Sequence, residues 1–180
     1  MAGGDMPPSQ PPLESWLRHP FVEDLAADQM AVLASVALPV EFSAGQLIFR
    51  EGELANRFYL ILNGNVALQS RMPDGGVSLI TTLGQGEVLG WSWLFPPYAW
   101  HFDAVAIEST ATVFFYGTWL RNMAEEHHEL GYELMKRMAE VLIRRLQATR
   151  RYAQTNQPPT NKLKPVRVIP TPRANRASGG

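Results

Sequence analysis

Apolar and polar residues alternate in a series of short segments along the middle of the chain. Turn-forming residues separate most of these segments, for example at Asn63-Gly64-Asn65 and Pro73-Asp74-Gly75-Gly76. This spacing predicts consecutive short strands joined by tight turns, as in a small barrel or jelly roll. The predicted strands cover residues 40–42, 47–50, 58–62, 66–69, 77–80, 102–107 and 111–116.

Apolar residues three and four positions apart predict helices on both sides of the strands. Residues 21–37 predict one helix after Pro20, and a helical segment is predicted from about Thr118 to about Tyr152. Its long helix, over residues 129–151, carries an apolar stripe of Leu130, Leu134, Met138, Val141, Leu142 and Leu146. Such a stripe packs either on the barrel of its own chain or on a second copy. The length of the helix favours a homodimer through residues of about 128–153.

The composition predicts one domain with two tails. The chain has 180 residues, of which 46% are hydrophobic, and this is enough for one sizeable core. Residues 1–19 begin with a stretch rich in Gly and Pro and are predicted to be a flexible tail. Residues 20–153 are predicted to form the domain, and residues 154–180 to be a disordered, basic, Pro-rich tail.

Charge is distributed unevenly between the two parts of the chain. Residues 1–135 hold 5 basic and 16 acidic side chains, whereas residues 136–180 hold 11 basic and 1 acidic. A basic tail either binds an acidic partner or is simply a solvated end. Residues 155–180 show no helical periodicity, so no recognition helix for sequence-specific DNA binding is predicted. The segment Val166-Arg167-Val168-Ile169 could instead add as an edge strand to a protein partner.

Several classes of function are excluded or disfavoured. The chain has no cysteine, which excludes disulfides, thiolate metal sites and cysteine nucleophiles. The adjacent His127 and His128 point about 100° apart on a helix, so no metal site is predicted. No Ser-His-Asp grouping or phosphate-binding loop is present, and the protein is expected not to be an enzyme. No signal peptide or membrane-spanning run is expected, and the cytoplasm is the predicted compartment.

Spaced glycines and the strands between them form a recognisable pattern over about residues 20–152. It begins with Gly45-Gln46-Leu47-Ile48-Phe49-Arg50-Glu51-Gly52-Glu53 and Ala55, and continues through residues 58–68 to Gly86-Glu87. This pattern resembles the cyclic nucleotide-binding domain of catabolite-activator-type regulators. The resemblance implies mainly β structure with flanking helices: an eight-stranded jelly roll with a ligand cassette between two strands, followed by a long C-terminal helix.

The ligand cassette of that family would begin at Gly86-Glu87. In the family, the glutamate accepts a hydrogen bond from the ribose 2′-hydroxyl, and backbone amides and an arginine hold the cyclic phosphate. Glu87 matches this glutamate, but no lysine or arginine occurs between Arg71 and Arg121. Losing two charged hydrogen bonds would cost about 10² to 10⁴ in affinity. Short single-domain relatives carry arginines where this chain has Ala99 and Val105.

Glu87 also has a structural interpretation. It would either cap a short helix that begins near Val88 or tie the cassette to a neighbouring strand.

Six of the twelve residues from Trp91 to Phe102 are aromatic, and such rings must pack against something. Three alternatives stay open: the rings fill the mouth of the jelly roll themselves, they stack on an apolar or aromatic metabolite, or they stack on a cyclic nucleotide. The candidate ligand-binding residues are Gly86, Glu87, Val88, Leu89, Gly90, Trp91, Trp93, Tyr98, Trp100 and His101.

These observations together predict a non-catalytic regulatory or interaction module with a degenerate phosphate cassette that does not bind cyclic AMP tightly. The alternative is a working sensor of a cyclic nucleotide or another small ligand that signals through the C-terminal helix. No cofactor is predicted outside that alternative.

Overall fold

A computed structural model describes residues 15–154 of the chain. Within these residues, two antiparallel sheets of four strands enclose a core, with strand orders β1-β8-β3-β6 and β2-β7-β4-β5. The strands are β1 (Leu38–Phe42), β2 (Leu47–Phe49), β3 (Arg57–Asn63), β4 (Val66–Arg71), β5 (Val77–Leu83), β6 (Val88–Leu89), β7 (Asp103–Ala106) and β8 (Thr110–Tyr116). The predicted jelly roll is confirmed.

Glycines make the sharp reversals between strands, as their spacing predicted. Gly64 joins β3 to β4 with φ of +87°, a conformation that glycine reaches without the steric cost paid by other residues. A Cβ atom at this position would lie 2.5 Å from Thr110 Oγ1. The turn therefore requires glycine both for its backbone conformation and for the close approach of β8.

The sheet that contains β3 and β8 is buried on both faces. Along β3, Phe58 and Leu60 point towards the helices, whereas Tyr59 and Ile61 point between the sheets. The apolar residues between the sheets are called here the barrel core: Phe42, Phe49, Ala55, Tyr59, Ile61, Val66, Leu68, Leu83, Leu89, Trp100, Ala104 and Ala106. Those under the helices are called the helix-side core: Trp16, Phe21, Val22, Leu33, Phe58, Leu60, Val88, Trp93, Val113, Phe115, Leu120, Leu130, Leu134, Met138 and Val141.

Three helices flank the sheets: α1 (Ala27–Ala34), α2 (Gly117–Glu126) and α3 (His128–Gln154). The helix predicted over residues 21–37 is therefore shorter than expected. The predicted flexible tail also extended too far, because Ser15–Arg18 form a 3₁₀ helix and Trp16 is 2% exposed. An isolated apolar ring in a polar segment gives no periodic signal, so only its tertiary contacts reveal it.

The short helix predicted near Val88 is a strand instead. Val88 and Leu89 form β6 and pair with Leu60 and Tyr59 of β3. A 3₁₀ helix follows at Ser92–Leu94. Residues that alternate between two cores, as Val88 and Leu89 do, suit an extended backbone better than a helical one.

The predicted stripe on α3 is divided between two environments. Leu130, Leu134, Met138 and Val141 are buried in the helix-side core of their own chain. Leu142 is half-buried and Leu146 is 69% exposed. The four buried side chains pack against the chain's own barrel, and Leu146 is the member of the predicted stripe that is exposed.

Residues 155–180, which include the predicted basic tail, lie outside the described residues. Among the described helices, none has both the length and the apolar character that a membrane crossing requires.

Candidate functional site

Glu87 closes its own turn in the cassette. Its Oε2 accepts a hydrogen bond of 2.8 Å from the Gly84 amide, and its own amide donates to the Gly84 carbonyl at 3.1 Å. The turn is also tied to β3, because Ile61 donates to the Glu87 carbonyl and Gly86 donates to the Ile61 carbonyl. Gly86 has φ of +80°, which the turn requires. The Glu87 side chain therefore closes the turn, and the link to β3 is made by the backbone of Gly86 and Glu87.

Trp100 lies against Gly90, the residue that follows β6. Its ring stacks on Phe49 with centroids 3.8 Å apart and an interplanar angle of 11°. A Cβ atom on Gly90 would lie 2.8 Å from the edge of this indole. Trp100 is 5% exposed and belongs to the barrel core. These contacts of Trp100 are those of a core residue.

A small cavity remains beside Trp100. Its volume is about 20 Å³, and it is lined by Phe49, Leu68, Leu89, Gly90, Trp91, Ser92, Trp100, His101, Phe102 and Arg145. Trp91 stacks on His101 with centroids 5.2 Å apart, and His101 Nδ1 shares a hydrogen bond of 2.9 Å with Ser92 Oγ. A cavity of this size admits about one water molecule.

The structure brings only part of the predicted site together. Leu89, Gly90, Trp91, Trp100 and His101 line the cavity. The other candidate residues lie elsewhere, and none of them lines it.

Val88 and Trp93 belong to the helix-side core, where Trp93 packs on Phe58 with ring centroids 6.0 Å apart. Tyr98 lies under the Arg121 guanidinium, whose carbon is 4.5 Å from the ring centroid. The aromatic cluster is therefore divided between two cores and a surface contact.

Arg145 of α3 is a cassette residue that the sequence did not predict. Its Nη2 donates a hydrogen bond to the Val88 carbonyl. Burial lowers the pKa of Arg145 from its ordinary value, and the charge of Glu87 acts in the opposite direction. One sequence feature could have identified Arg145 as a residue that faces the domain: it lies four residues after Val141, on the buried face of the helix.

His19 is the second residue that was missed, because it lies in the segment predicted to be a tail. Its Nε2 donates to the Glu87 carbonyl at 3.2 Å, and the Phe21 amide donates to its Nδ1 at 3.1 Å. His19 is 4% exposed. Burial lowers its pKa to about 4, although the hydrogen bonds to the Glu87 and Ile61 carbonyls raise it. The ring is therefore neutral at pH 7.

This arrangement of two sheets, a glycine turn with a glutamate and a long C-terminal helix agrees with comparisons to known proteins. Residues 39–127 match the family model described as the cyclic nucleotide-binding domain. These residues belong to the cyclic nucleotide-binding domain family. The resemblance stated from the sequence is confirmed. A cyclic nucleotide-binding protein from Geobacter metallireducens has the same fold, with 29% identity and a TM-score of 0.64 over 71% of this chain and 92% of that one.

Other similar proteins are regulators. The CRP-like cAMP-activated global transcriptional regulator of Mycobacterium tuberculosis is 32% identical over 120 residues, which are 67% of this chain and 52% of that protein. The chain thus spans about half the length of this relative. The regulatory subunit of a cAMP-independent protein kinase A from Trypanosoma brucei is 25% identical, with a TM-score of 0.59 over 79% of this chain and 49% of that one. A triple mutant of that subunit, in which one threonine is replaced by arginine, is bound to cAMP.

A metal site is not supported by the part of the chain that the structure describes. Within residues 15–154, no three histidine, aspartate or glutamate side chains lie close enough to hold an ion.

Proposed function

We propose that this cyclic nucleotide-binding domain is a non-catalytic regulatory or interaction module whose cassette does not bind cyclic AMP tightly. The observation that carries the proposal is the position of Trp100. Its ring is stacked on Phe49 and lies against Gly90, and the remaining cavity has a volume of about 20 Å³. A nucleoside enters such a cavity only if the stacked ring leaves the barrel core.

The charges around the cassette support the same proposal. The loop carries no arginine or lysine, and Arg145 already donates to the Val88 carbonyl. A phosphate would therefore compete with a backbone acceptor for the guanidinium, and Glu87 would repel it at close range. The T. brucei subunit offers a parallel, since it is cAMP-independent and a mutant with an added arginine is bound to cAMP.

The exposed side of α3 supports a homodimer as part of this proposal. Met135, Leu142, Ile143 and Leu146 fall within about 100° of one another around the helix, so they share one side of it. Ile143 is 52% exposed and Leu146 is 69% exposed. A second copy of α3 would cover this apolar surface.

The proposed module would act in the cytoplasm. The chain itself would not bind DNA sequence-specifically, and its C-terminal tail would be a further contact for a protein partner.

Titration with cyclic nucleotides tests the proposed function. The purified protein is titrated with cyclic AMP, cyclic GMP and cyclic dinucleotides up to millimolar concentration. Tryptophan fluorescence reports on all five tryptophans, of which Trp91 and Trp100 line the cavity. The thermal midpoint reports on any ligand that binds the folded state. A cyclic AMP receptor of the same family is the positive control. We expect no saturable response in the wild-type protein.

A saturable response that is lost in Glu87→Gln would contradict the proposal and favour the sensor. Weak binding has two possible causes in this proposal, the buried Trp100 ring and the missing cation, and the variant Trp100→Ala separates them. If binding appears in Trp100→Ala, the ring is the obstacle. If binding appears only after Ala99→Arg, the missing cation is the obstacle. Either result supports the proposal.

A further inference from the structure

Two consecutive carbonyl groups of the cassette are held by side chains from opposite ends of the domain. His19, before the first strand, donates to the Glu87 carbonyl at 3.2 Å. Arg145, near the end of α3, donates to the Val88 carbonyl. The cassette thus has direct polar contacts with both flanking segments.

A third side chain links these flanking segments to each other. Arg137 Nη1 donates to the Phe21 carbonyl at 3.1 Å and to the Glu23 carbonyl at 2.7 Å. Arg137 is one of the half-buried residues of α3, and Glu133 pairs with it at 3.8 Å. The N-terminal segment, the cassette and α3 therefore form a closed set of contacts.

Arg145 is the residue of this set that enters the cavity. It is the only lysine or arginine among the described residues that line the cavity, and its neighbours there are mainly apolar or aromatic. The residues between Arg71 and Arg121 supply no cation, so the positive charge at the cassette comes from α3. A guanidinium that donates to a backbone carbonyl makes a charge-assisted hydrogen bond, which is stronger than a neutral one.

We propose that Arg145 acts as a built-in ligand of the cassette, holding α3 against β6 when no nucleotide is bound. The proposal rests on the proposed function, because it describes a cassette that stays without nucleotide. Arg145 adds a polar contact at the cassette to the apolar packing that already holds α3 through residues such as Met138 and Val141. Trp100 lies against Gly90, and Arg145 supplies the positive charge. The position of α3 is then set by the protein itself.

Hydrogen exchange of the nucleotide-free protein tests this role. We expect Arg145→Gln to increase amide exchange in residues 86–90 and in residues 142–148 by about tenfold or more, since a hydrogen bond from a charged donor contributes at least that factor. The matched control is Arg144→Gln, because Arg144 is the preceding residue of the same helix and is exposed. This control should change exchange in these segments less than about twofold.

Strand β4 serves as an internal control, because its amide exchange reports whether a variant lowers the stability of the whole domain. If Arg145→Gln raises exchange equally in residues 66–71, the residue contributes only to general stability and the proposal is wrong. Equal behaviour of Arg145→Gln and Arg144→Gln would also contradict it. If Arg145→Gln does not fold, Arg145→Lys is measured instead. That variant keeps the charge and loses the planar donor group, so an intermediate increase confined to the two segments supports the proposal and no increase contradicts it.

These measurements contain no nucleotide, so their outcome is independent of the titration. Nucleotide binding by the wild-type protein would contradict the proposed function whatever the exchange result. If the exchange results contradict the role of Arg145 and no nucleotide binds, only that role is removed and the proposed function stands.

Discussion

The barrel core and the helix-side core are filled in different ways. The barrel core comes entirely from residues between Phe42 and Ala106, which are strands and the loops that connect them. The helix-side core joins Trp16 and Phe21, before the first strand, to Met138 and Val141, near the end of the domain. Both cores join residues that are far apart in the chain, such as Phe49 and Trp100 in the barrel core. The barrel core lies entirely within the strand region, whereas the helix-side core also needs the segments before the first strand and after the last.

The cassette lies where these two cores meet. Val88 faces the helix-side core, whereas Leu89 and Trp100 belong to the barrel core. Displacing Trp100 would disturb the barrel, and moving α3 would disturb the helix-side core. The aromatic residues of the cassette are thus divided between two cores, with Trp93 in the helix-side core and Trp100 in the barrel core. This division leaves little room for a ligand.

The largest expected decrease in the free energy of unfolding comes from removing the Trp100 ring from the barrel core. We expect Trp100→Ala to lower the free energy of unfolding by about 3–5 kcal/mol, because a large buried ring and its stack on Phe49 are lost. Trp91→Ala is the matched control, since Trp91 is half-buried and stacks on His101. Its cost should be about 1 kcal/mol. Urea unfolding measures both, and equal losses would mean that Trp100 is not a core residue.

A smaller, pH-dependent effect tests the helix-side contacts. His19 has its pKa lowered to about 4 in the folded state from an ordinary value of 6.5, so the unfolded state binds more protons between these values. Stability contributed by neutral His19 is present above about pH 6.5 and is lost as pH falls towards 4. The loss amounts to at most about 3 kcal/mol.

Unfolding free energies measured between pH 4 and 7 test this sign. In His19→Gln, the slope over this range should be shallower than in the wild-type protein. His128→Gln, which changes an exposed histidine of α3, should keep the wild-type slope. An unchanged slope in His19→Gln would show that another group controls the acid dependence.

The smallest effect on stability is expected at the surface that belongs to neither core. The double variant Ile143→Ser and Leu146→Ser should change the unfolding free energy of the monomer by less than about 0.5 kcal/mol, because both side chains are more than half exposed. It should nevertheless shift the protein from dimer to monomer in analytical ultracentrifugation. Ile80→Ser, an equally apolar change on exposed β5, is the control. A wild-type protein that is monomeric at all concentrations would remove the dimer from the proposal.

Several features were predictable because they are local. Alternation of apolar residues placed most of the strands, and the glycine turns at Gly64 and Gly75 were assigned correctly, with φ of +87° and +82°. Strand β6 was missed, since two residues are too few for a periodic pattern. The contacts of His19 and Arg145 were also missed, because each joins the cassette to a residue at least 57 positions away in the chain.

The amino-acid sequence alone determined the fold class, the family pattern, the absence of cysteine and the lack of a cation in the cassette loop. Short-range periodicity and turn chemistry were sufficient for these conclusions. Only the tertiary structure decided that Trp100 lies against Gly90, that Arg145 reaches the Val88 carbonyl and that four of the six residues of the predicted α3 stripe are buried by their own chain. These properties depend on which distant segments pack together, and the spacing of residues within one segment carries no information about that.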